Sequence, residues 1–257
     1  LALYGLIGFP VSHSLSYRIN NAILNRFGDY YVAFETAPED LFAVLFSLKT
    51  ISNGFNVTIP YKKSVILYLD HVSDEVKKIG AANTVKVEQK RAYGYNTDYL
   101  AIMNLASGKK ISTAMILGAG GGARAVTFAL FNLGCSKFFI YNRTKEKALS
   151  LKSKIESWGA HAEVIEEPKN ADVFVNATPM GMYFNDDALL NLYAKGNYKT
   201  VIDLAYDING TALSKIAKDY VSGIDILIEQ AALSIEIWKG IKVDRKDMRS
   251  ALYENKG

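Results

Sequence analysis

A chain of 257 residues with 49% apolar and 22% charged residues has room for one large or two ordinary domains, and this balance excludes a disordered or fibrous polypeptide. The net charge of +4 is dispersed over lysine pairs at Lys62/Lys63, Lys77/Lys78 and Lys109/Lys110, which argues against nucleic acid as a partner, and no apolar run approaches the roughly 18 residues that cross a membrane. A lone cysteine, Cys135, excludes an internal disulfide and reads as an inert buried thiol, while His13, His71 and His161 stand too far apart for a local metal motif, so no metal is expected.

The first segment, LALYGLIGFP, lacks a basic flank and reads as a buried strand and not as a signal peptide, which makes a cytoplasmic protein the expectation. From there, runs rich in β-branched and aromatic residues alternate with helical patterns, the signature of a parallel sheet covered by helices. Strands are expected near 2–8, 29–35, 53–57, 84–88, 113–117, 137–141, 162–165, 172–175 and 200–204. Helices are expected near 14–27, 38–50, 61–69, 73–79, 97–106, 122–133, 144–158, 186–194 and 211–219, with two more at 228–239 and 245–254. The polar stretch Ser107-Gly108-Lys109-Lys110 precedes a very apolar strand and marks the best domain boundary. The last two helices carry apolar residues at helical spacing, including Leu227, Ala231, Ile235 and Trp238, but have no strands of their own and are expected to return to the N-terminal domain.

Residues 118–123 read GAGGGA, with Gly118, Gly120 and Ala123 at the three special places of a GxGxxA turn and Ala119, Gly121 and Gly122 between them. The first glycine permits the tight turn out of the strand. The second lets backbone approach a pyrophosphate, and the small third residue lets helix and strand pack closely. The match follows the strand AMIL and opens the helix ARAVTFALFNL, which is the context a dinucleotide site requires. At the end of the next strand an NAD-specific fold usually carries an acidic residue; this chain has Tyr141-Asn142-Arg143-Thr144 instead. A guanidinium beside a hydroxyl suits a 2′-phosphate, so NADP(H) is the expected cofactor. Thr144 also suits a helix N-cap, and the two roles are compatible.

Four polar clusters in the first 100 residues fall at ends of expected strands: GFPVSHSLS (8–16), GFNVTIPYK (54–62), GAANTV (80–85) and GYNTDYLA (94–101). Taken singly, each has an ordinary structural explanation as a cap, a turn or a surface residue. Their order and spacing, together with GAGGGARA (118–125), NRT (142–144), NATPMGM (176–182), DLAYDINGT (203–211) and EQAALSIEIW (229–238), closely resemble the shikimate dehydrogenase family over essentially the whole chain.

That resemblance implies two α/β domains. The first, 1–101 plus the C-terminal helices 224–257, would bind substrate and carry catalysis; the second, a Rossmann-type domain over 102–223, would bind NADP. It implies reversible, NADPH-dependent reduction of 3-dehydroshikimate to shikimate, with a small-molecule substrate, no nucleic acid or membrane partner, and a monomer or homodimer. The family's catalytic pair falls on Lys62 and Asp98. Its substrate positions fall on Ser14 and Ser16, on Thr58 and Asn83, and on Tyr206 and Gln230. Cofactor positions fall on Gly118–Ala123, on Asn142, Arg143 and Thr144, on Thr178 and Met180 of the NATPMGM segment, and on Gly223.

The chain departs from the family pattern at Tyr17, Asn20, Ala101, Ile208 and Glu229, none of them an implied catalytic position. The nearest rival is a quinate/shikimate dehydrogenase with broader substrate or cofactor use. A more distant one is a methylene-tetrahydrofolate dehydrogenase-like or amino-acid-dehydrogenase-like enzyme, which the SxS and Asn83/Asp98 clusters disfavour. From another class, a non-catalytic NADP-binding sensor predicts a missing catalytic group, whereas Lys62 and Asp98 are both present.

Overall fold

A computed structural model describes residues 1–12, 14–182 and 186–253, without the side chain of Asp186; His13, 183–185 and 254–257 lie outside it. The chain forms two compact units, Leu1–Thr97 with Leu227–Gly257, and Asp98–Ile226. No helix among the described residues is long and apolar enough to cross a membrane.

In the first unit the elements are β1 (Leu3–Gly8), α1 (Ser16–Leu24), β2 (Tyr30–Glu35), α2 (Leu41–Ile51), β3 (Gly54–Val57), β4 (His71–Val72), α3 (Asp74–Ile79), β5 (Thr84–Glu88) and β6 (Arg91–Tyr95). Their sheet has the order β2-β1-β3-β5-β6-β4. Contrary to the all-parallel expectation, it is mixed: β5 runs antiparallel to both β3 and β6. β5 and β6 are joined by a tight hairpin in which Glu88 faces Arg91 across Gln89 and Lys90, both at positive φ (50° and 60°). Such a turn normally takes Asn-Gly, so Gln-Lys hid it from a reading of turn residues. Replacing Gln89-Lys90 by Asn-Gly relieves two side chains of the left-handed region, and the double variant is expected to raise stability by about 1 kcal/mol, read as a higher denaturation midpoint.

The expected helix at 61–69 is instead a turn followed by a single 3₁₀ stretch, Ser64–Tyr68, in which only Val65 is buried. One face of this sheet is sealed by Leu41, Leu45 and Leu48 of α2 against Ile7, Phe55 and Val57. On the edge strand β2, the Asn21 side chain acts as a stand-in strand: it donates to Tyr31 O (2.9 Å) and accepts from Tyr31 N (2.8 Å). An exposed edge is thereby partly capped.

The second unit begins within α4 (Thr97–Leu105) and continues through β7 (Thr113–Leu117), α5 (Gly121–Asn132), β8 (Lys137–Tyr141), α6 (Lys145–Glu156), β9 (His161–Val164), β10 (Val173–Asn176), α7 (Asp186–Ala194), β11 (Thr200–Asp203), α8 (Ala212–Ile216) and β12 (Asp219–Val221). Its sheet is parallel, in the order β12-β11-β10-β7-β8-β9. Strands β10 and β11 are buried at every position, as parallel strands covered on both faces must be. The helix expected over 211–219 stops at Ile216, because Ala217 turns extended and the chain pairs with β11 as β12. Cys135 is buried, and that burial pushes its thiol up to about 12, in keeping with an inert residue.

Asp172 fastens the start of this sheet. Its carboxylate accepts the amides of Ser112 (3.0 Å) and Thr113 (3.1 Å) and the Thr113 hydroxyl (3.1 Å), with Lys199 at 3.0 Å. Burial acts to raise its pKa, but the Lys199 contact and the Ser112 and Thr113 donors outweigh it and hold the group at about 2. A carboxyl depressed in the folded state stabilises above its unfolded pKa, and that contribution fades as pH falls through the folded value. Asp172→Ala is therefore expected to cost about 1–2 kcal/mol near neutrality, after allowance for solvent screening, and the gap from wild type should close between about pH 4 and pH 2. Urea titrations of both proteins across that range check it; a gap that stays constant would contradict the assignment.

Helices α9 (Gly223–Lys239) and α10 (Arg245–Tyr253) complete the chain, and their residues from Leu227 onward pack on the first unit. Trp238 stacks on Tyr4 (4.7 Å between centroids) and donates Nε1–H to Val85 O at 2.9 Å. Gly54 makes room for that indole, since a Cβ there would collide with it. Lys239 pairs with the buried Asp29, which also accepts the Ala2 amide at 2.7 Å. Glu229, one of the departures from the family pattern, has a local structural role. Arg245 grips it with two bonds of 2.9 Å and takes Glu236 at 2.5 Å, clasping α10 to α9.

Candidate active site

In the first unit the expected substrate residues sit at the ends of strands and on α9. Gly8 ends β1, and the loop after it carries Ser14 and leads into Ser16, the first residue of α1. That loop is held from β2, where Glu35 Oε2 accepts the amides of Val11 (3.0 Å) and Ser12 (3.3 Å). Ser14 Oγ accepts the Ser16 amide at 3.2 Å, which brings the two serines together at the start of α1. Thr58 follows β3; its amide donates to Ile7 O (2.9 Å), and its side chain lies against Gly8 so closely that a Cβ there would collide. Four residues on stands half-buried Lys62, whose carbonyl accepts the Ala82 amide at 2.8 Å and so ties the lysine turn to the segment leading into Asn83.

Asn83 and Gln230 are brought into direct contact. Asn83 is 2% exposed and Gln230 8%. The Thr97 amide, which can only donate, bonds Asn83 Oδ1 at 2.7 Å and so fixes which end of the side-chain amide is oxygen. Asn83 Nδ2 then donates to Thr97 Oγ1 (3.0 Å) and to Gln230 Oε1 (3.3 Å), and Gln230 Nε2 donates to Leu227 O (3.0 Å). Around this pair lies a polar cluster that sequence reading missed: Asn56, Thr84, Thr97 and Ser234, all buried. Asn56 Nδ2 reaches Thr84 Oγ1 (3.0 Å) and Ser234 Oγ (2.9 Å), and Tyr31 donates to Asn56 Oδ1 (2.8 Å). No local spacing links these residues, since Asn56 and Ser234 are 178 positions apart.

In the second unit the glycine loop runs from β7 into α5. Gly118 has φ +106°, and a Cβ would meet Ala177 O at 2.8 Å, so only glycine fits. A side chain at Gly120 would project into open space, which leaves room for a phosphate to approach the backbone. The first helical bond is Arg124 N to Gly120 O (3.1 Å), so the amides of Gly121, Gly122 and Ala123 have no helical acceptor and face outward at the positive end of α5. The loop therefore fits a pyrophosphate. Ala119 is buried, and Ala123 is fully buried against the sheet.

At the end of β8 the Asn142 side chain donates to Thr144 O at 2.7 Å, shaping the turn that carries Arg143, which is exposed. Thr144 takes the N-cap place of α6 without a side-chain cap bond. Across the sheet, Asn176 builds the NATPMGM segment: it donates to Met180 O (2.9 Å), while its Oδ1 accepts the Thr178 amide (3.2 Å) and hydroxyl (2.7 Å). Asn176 is anchored in turn on Asp203, fully buried, at 2.8 Å. Burial pushes the Asp203 carboxyl up from its ordinary value, opposed by donors on Thr211, Asn176, Ala205 and Tyr220. Asn176 and Asp203 lie inside motifs that the sequence singled out, yet their anchoring role has no sequence signature. Gly223, at the start of α9, packs on the backbone of Asp203 and Ala205 with no room for a Cβ. Asp98, in the first turn of α4, and Tyr206, after β11, belong to this second unit. Among the described residues no group of three or more His, Cys, Asp or Glu side chains could hold a metal ion.

Against known proteins, residues 6–85 match the family model described as "Shikimate dehydrogenase substrate binding domain", 100–228 match "Shikimate / quinate 5-dehydrogenase" and 223–253 match "Shikimate 5'-dehydrogenase C-terminal domain". The shikimate dehydrogenase (NADP(+)) of Aquifex aeolicus is 39% identical over 94% of this chain and 92% of its own length, and that of Bacillus subtilis 36% identical over 99% and 98%. Among solved structures, a shikimate dehydrogenase in complex with NADP+ superposes with a TM-score of 0.83 at 34% identity, covering 98% of this chain and 94% of that one. The enzyme from Thermus thermophilus in complex with shikimate gives 0.82 at 31%, covering 98% of both chains. Quinate dehydrogenase from Corynebacterium glutamicum in complex with NAD gives 0.83 at 26%, again over 98% of both. With three family models spanning its substrate, nucleotide and C-terminal segments, the chain belongs to the shikimate dehydrogenase family.

Proposed function

We propose that this protein is an NADP-dependent shikimate dehydrogenase, which oxidises one ring hydroxyl of shikimate to the ketone of 3-dehydroshikimate and runs the reduction in reverse. The observation that carries the reading is the near full-length likeness to NADP-dependent shikimate dehydrogenases, at 39% identity in the Aquifex aeolicus case. In this reading residues 1–101 with 224–257 form the substrate-binding catalytic domain and 102–223 the NADP-binding domain.

NADP, when bound, supplies or accepts the hydride. The amides of Gly121, Gly122 and Ala123 hold its pyrophosphate, Asn142, Arg143 and Thr144 the 2′-phosphate, and Thr178, Met180 and Gly223 line its remaining length. Ser14 and Ser16 take the substrate carboxylate, while Thr58, Asn83, Tyr206 and Gln230 take hydroxyls. As a ketone is reduced, its oxygen gains an electron pair, and the Lys62 ammonium stabilises that charge and delivers the proton that completes the alcohol. In the oxidative direction Lys62 takes the same proton back. Asp98, the other member of the family's catalytic pair, binds the reacting hydroxyl. Each chain carries a whole set of these residues, so a monomer or a homodimer serves equally.

Initial rates with shikimate and quinate, each with NADP+ and NAD+, test the reading. Shikimate with NADP+ is expected to give the highest kcat/KM. Preference for quinate with NAD+ would assign the chain to the quinate branch, and tight NADPH binding without turnover of either acid would make it a sensor.

A further inference from the structure

We propose that Ser234 and Thr84 are positioning residues that hold the orientation of Asn83 and Gln230, an inference that rests on the reading of those two amides as substrate-binding groups.

Asn83 Nδ2 is a donor only, and it feeds Thr97 Oγ1 at 3.0 Å. Thr97 and Thr84 hydroxyls lie 2.8 Å apart, Thr84 and Ser234 hydroxyls 2.9 Å apart, and Ser234 Oγ lies 2.8 Å from Gln230 O, an acceptor only. These contacts join Asn83 to the Gln230 carbonyl through Thr97, Thr84 and Ser234, and further contacts cross-link them: Thr84 Oγ1 and Thr97 Oγ1 each reach Asn83 Oδ1 at 3.3 Å, and Thr97 Oγ1 lies 3.3 Å from Ser234 Oγ and 3.5 Å from Gln230 Oε1. A chain of this kind strengthens each of its members. Asn56 Nδ2, a donor with two hydrogens, lies within bonding distance of Thr84 Oγ1 (3.0 Å), Ser234 Oγ (2.9 Å) and Asn83 O (3.2 Å), and so ties the network to β3. The other Asn83 Nδ2 hydrogen goes to Gln230 Oε1 (3.3 Å), so Gln230 turns its oxygen toward Asn83 and its nitrogen toward Leu227 O (3.0 Å).

Stability alone does not explain this run of hydroxyl and amide groups. The same interface already contains Ala231, Ile235 and Trp238, and apolar residues of equal shape would seal it without polar groups to satisfy. The Thr97 amide decides which end of the Asn83 side chain is oxygen, and the hydroxyls of Thr84 and Ser234 add to it by holding Thr97 Oγ1 where it accepts from Asn83 Nδ2 and by bonding the backbone of α9 at Gln230, so that both amides keep one arrangement.

The test separates orientation from packing at Thr84. Thr84→Val keeps the shape and removes the hydroxyl, whereas Thr84→Ser keeps the hydroxyl and leaves a small void. The expected result is a rise in KM for shikimate of about five- to tenfold in Thr84→Val, with kcat and KM for NADP+ within about twofold, and a near wild-type KM in Thr84→Ser despite its lower melting temperature. Ser234→Ala is expected to raise KM for shikimate by a similar factor in the wild-type background and by less than about twofold when Gln230 is already alanine. Equal KM values for the two Thr84 variants, or an undiminished Ser234→Ala effect beside Gln230→Ala, would overturn the proposal. A wild-type protein that neither binds nor turns over shikimate would instead remove the functional reading, and this inference with it.

Discussion

Lys62→Ala is expected to lower kcat by about a hundred- to ten-thousandfold, the range that a positioned acid–base group contributes, while KM for shikimate changes far less. The contrast follows from when the interaction is made. An ammonium beside a neutral carbonyl oxygen gains little, but beside an oxygen taking on negative charge it gains much, so its loss falls on the transition state. The surroundings of Lys62 make the variant readable: the turn that carries it is held through backbone, by Ala82 N on Lys62 O (2.8 Å) and by Tyr61 N on Thr58 O (2.9 Å), and those bonds survive truncation of the side chain. Steady-state rates in both directions check the expectation. A large rise in KM with kcat preserved would make Lys62 a binding residue and leave the proton donor to be found elsewhere.

Arg143→Asp is expected to weaken NADPH binding by about a hundredfold while changing NADH binding only slightly. One charge-assisted pair with a phosphate contributes about 1.5–3 kcal/mol, each 1.4 kcal/mol is a factor of about ten, and a carboxylate in its place adds repulsion. NADH lacks the 2′-phosphate and loses nothing there; an aspartate at the end of β8 can hold its ribose hydroxyls instead. The exposed setting of Arg143 means that the exchange leaves the core of the unit untouched. Fluorescence titration with both reduced nucleotides reads the result, and equal losses for the two would refute the assignment.

What could be read from the sequence followed the distance over which each feature acts. The glycine loop was legible because its demands are local: a left-handed residue at Gly118, an open approach at Gly120 and a small residue at Ala123 all fall within one strand-to-helix turn. The β5–β6 hairpin was hidden because Gln89 and Lys90 occupy a turn usually marked by Asn or Gly, and with it went the antiparallel pairing of those two strands. Strand β12 was hidden behind the helical pattern of α8, since only its pairing with β11 turns the chain extended. The clusters behind the site were the least legible. Ser234 reads as one more polar residue on a helix and Thr84 as a strand threonine; their meaning arises when α9 is laid on β3 and β5. Likewise, Asp203 and Asn176 gave motif letters without revealing that one anchors the other.

The central claim is hydride transfer between a shikimate carbinol carbon and NADP, and isotope tracing tests it most directly. Shikimate carrying deuterium on the reacting carbon is incubated with NADP+ and the protein, and the nucleotide is examined by mass and proton resonance. The account predicts one deuterium on the nicotinamide ring of each NADPH formed and none left at that carbon in the ketone. Deuterium appearing in water, or a ketone formed without reduced nucleotide, would contradict it.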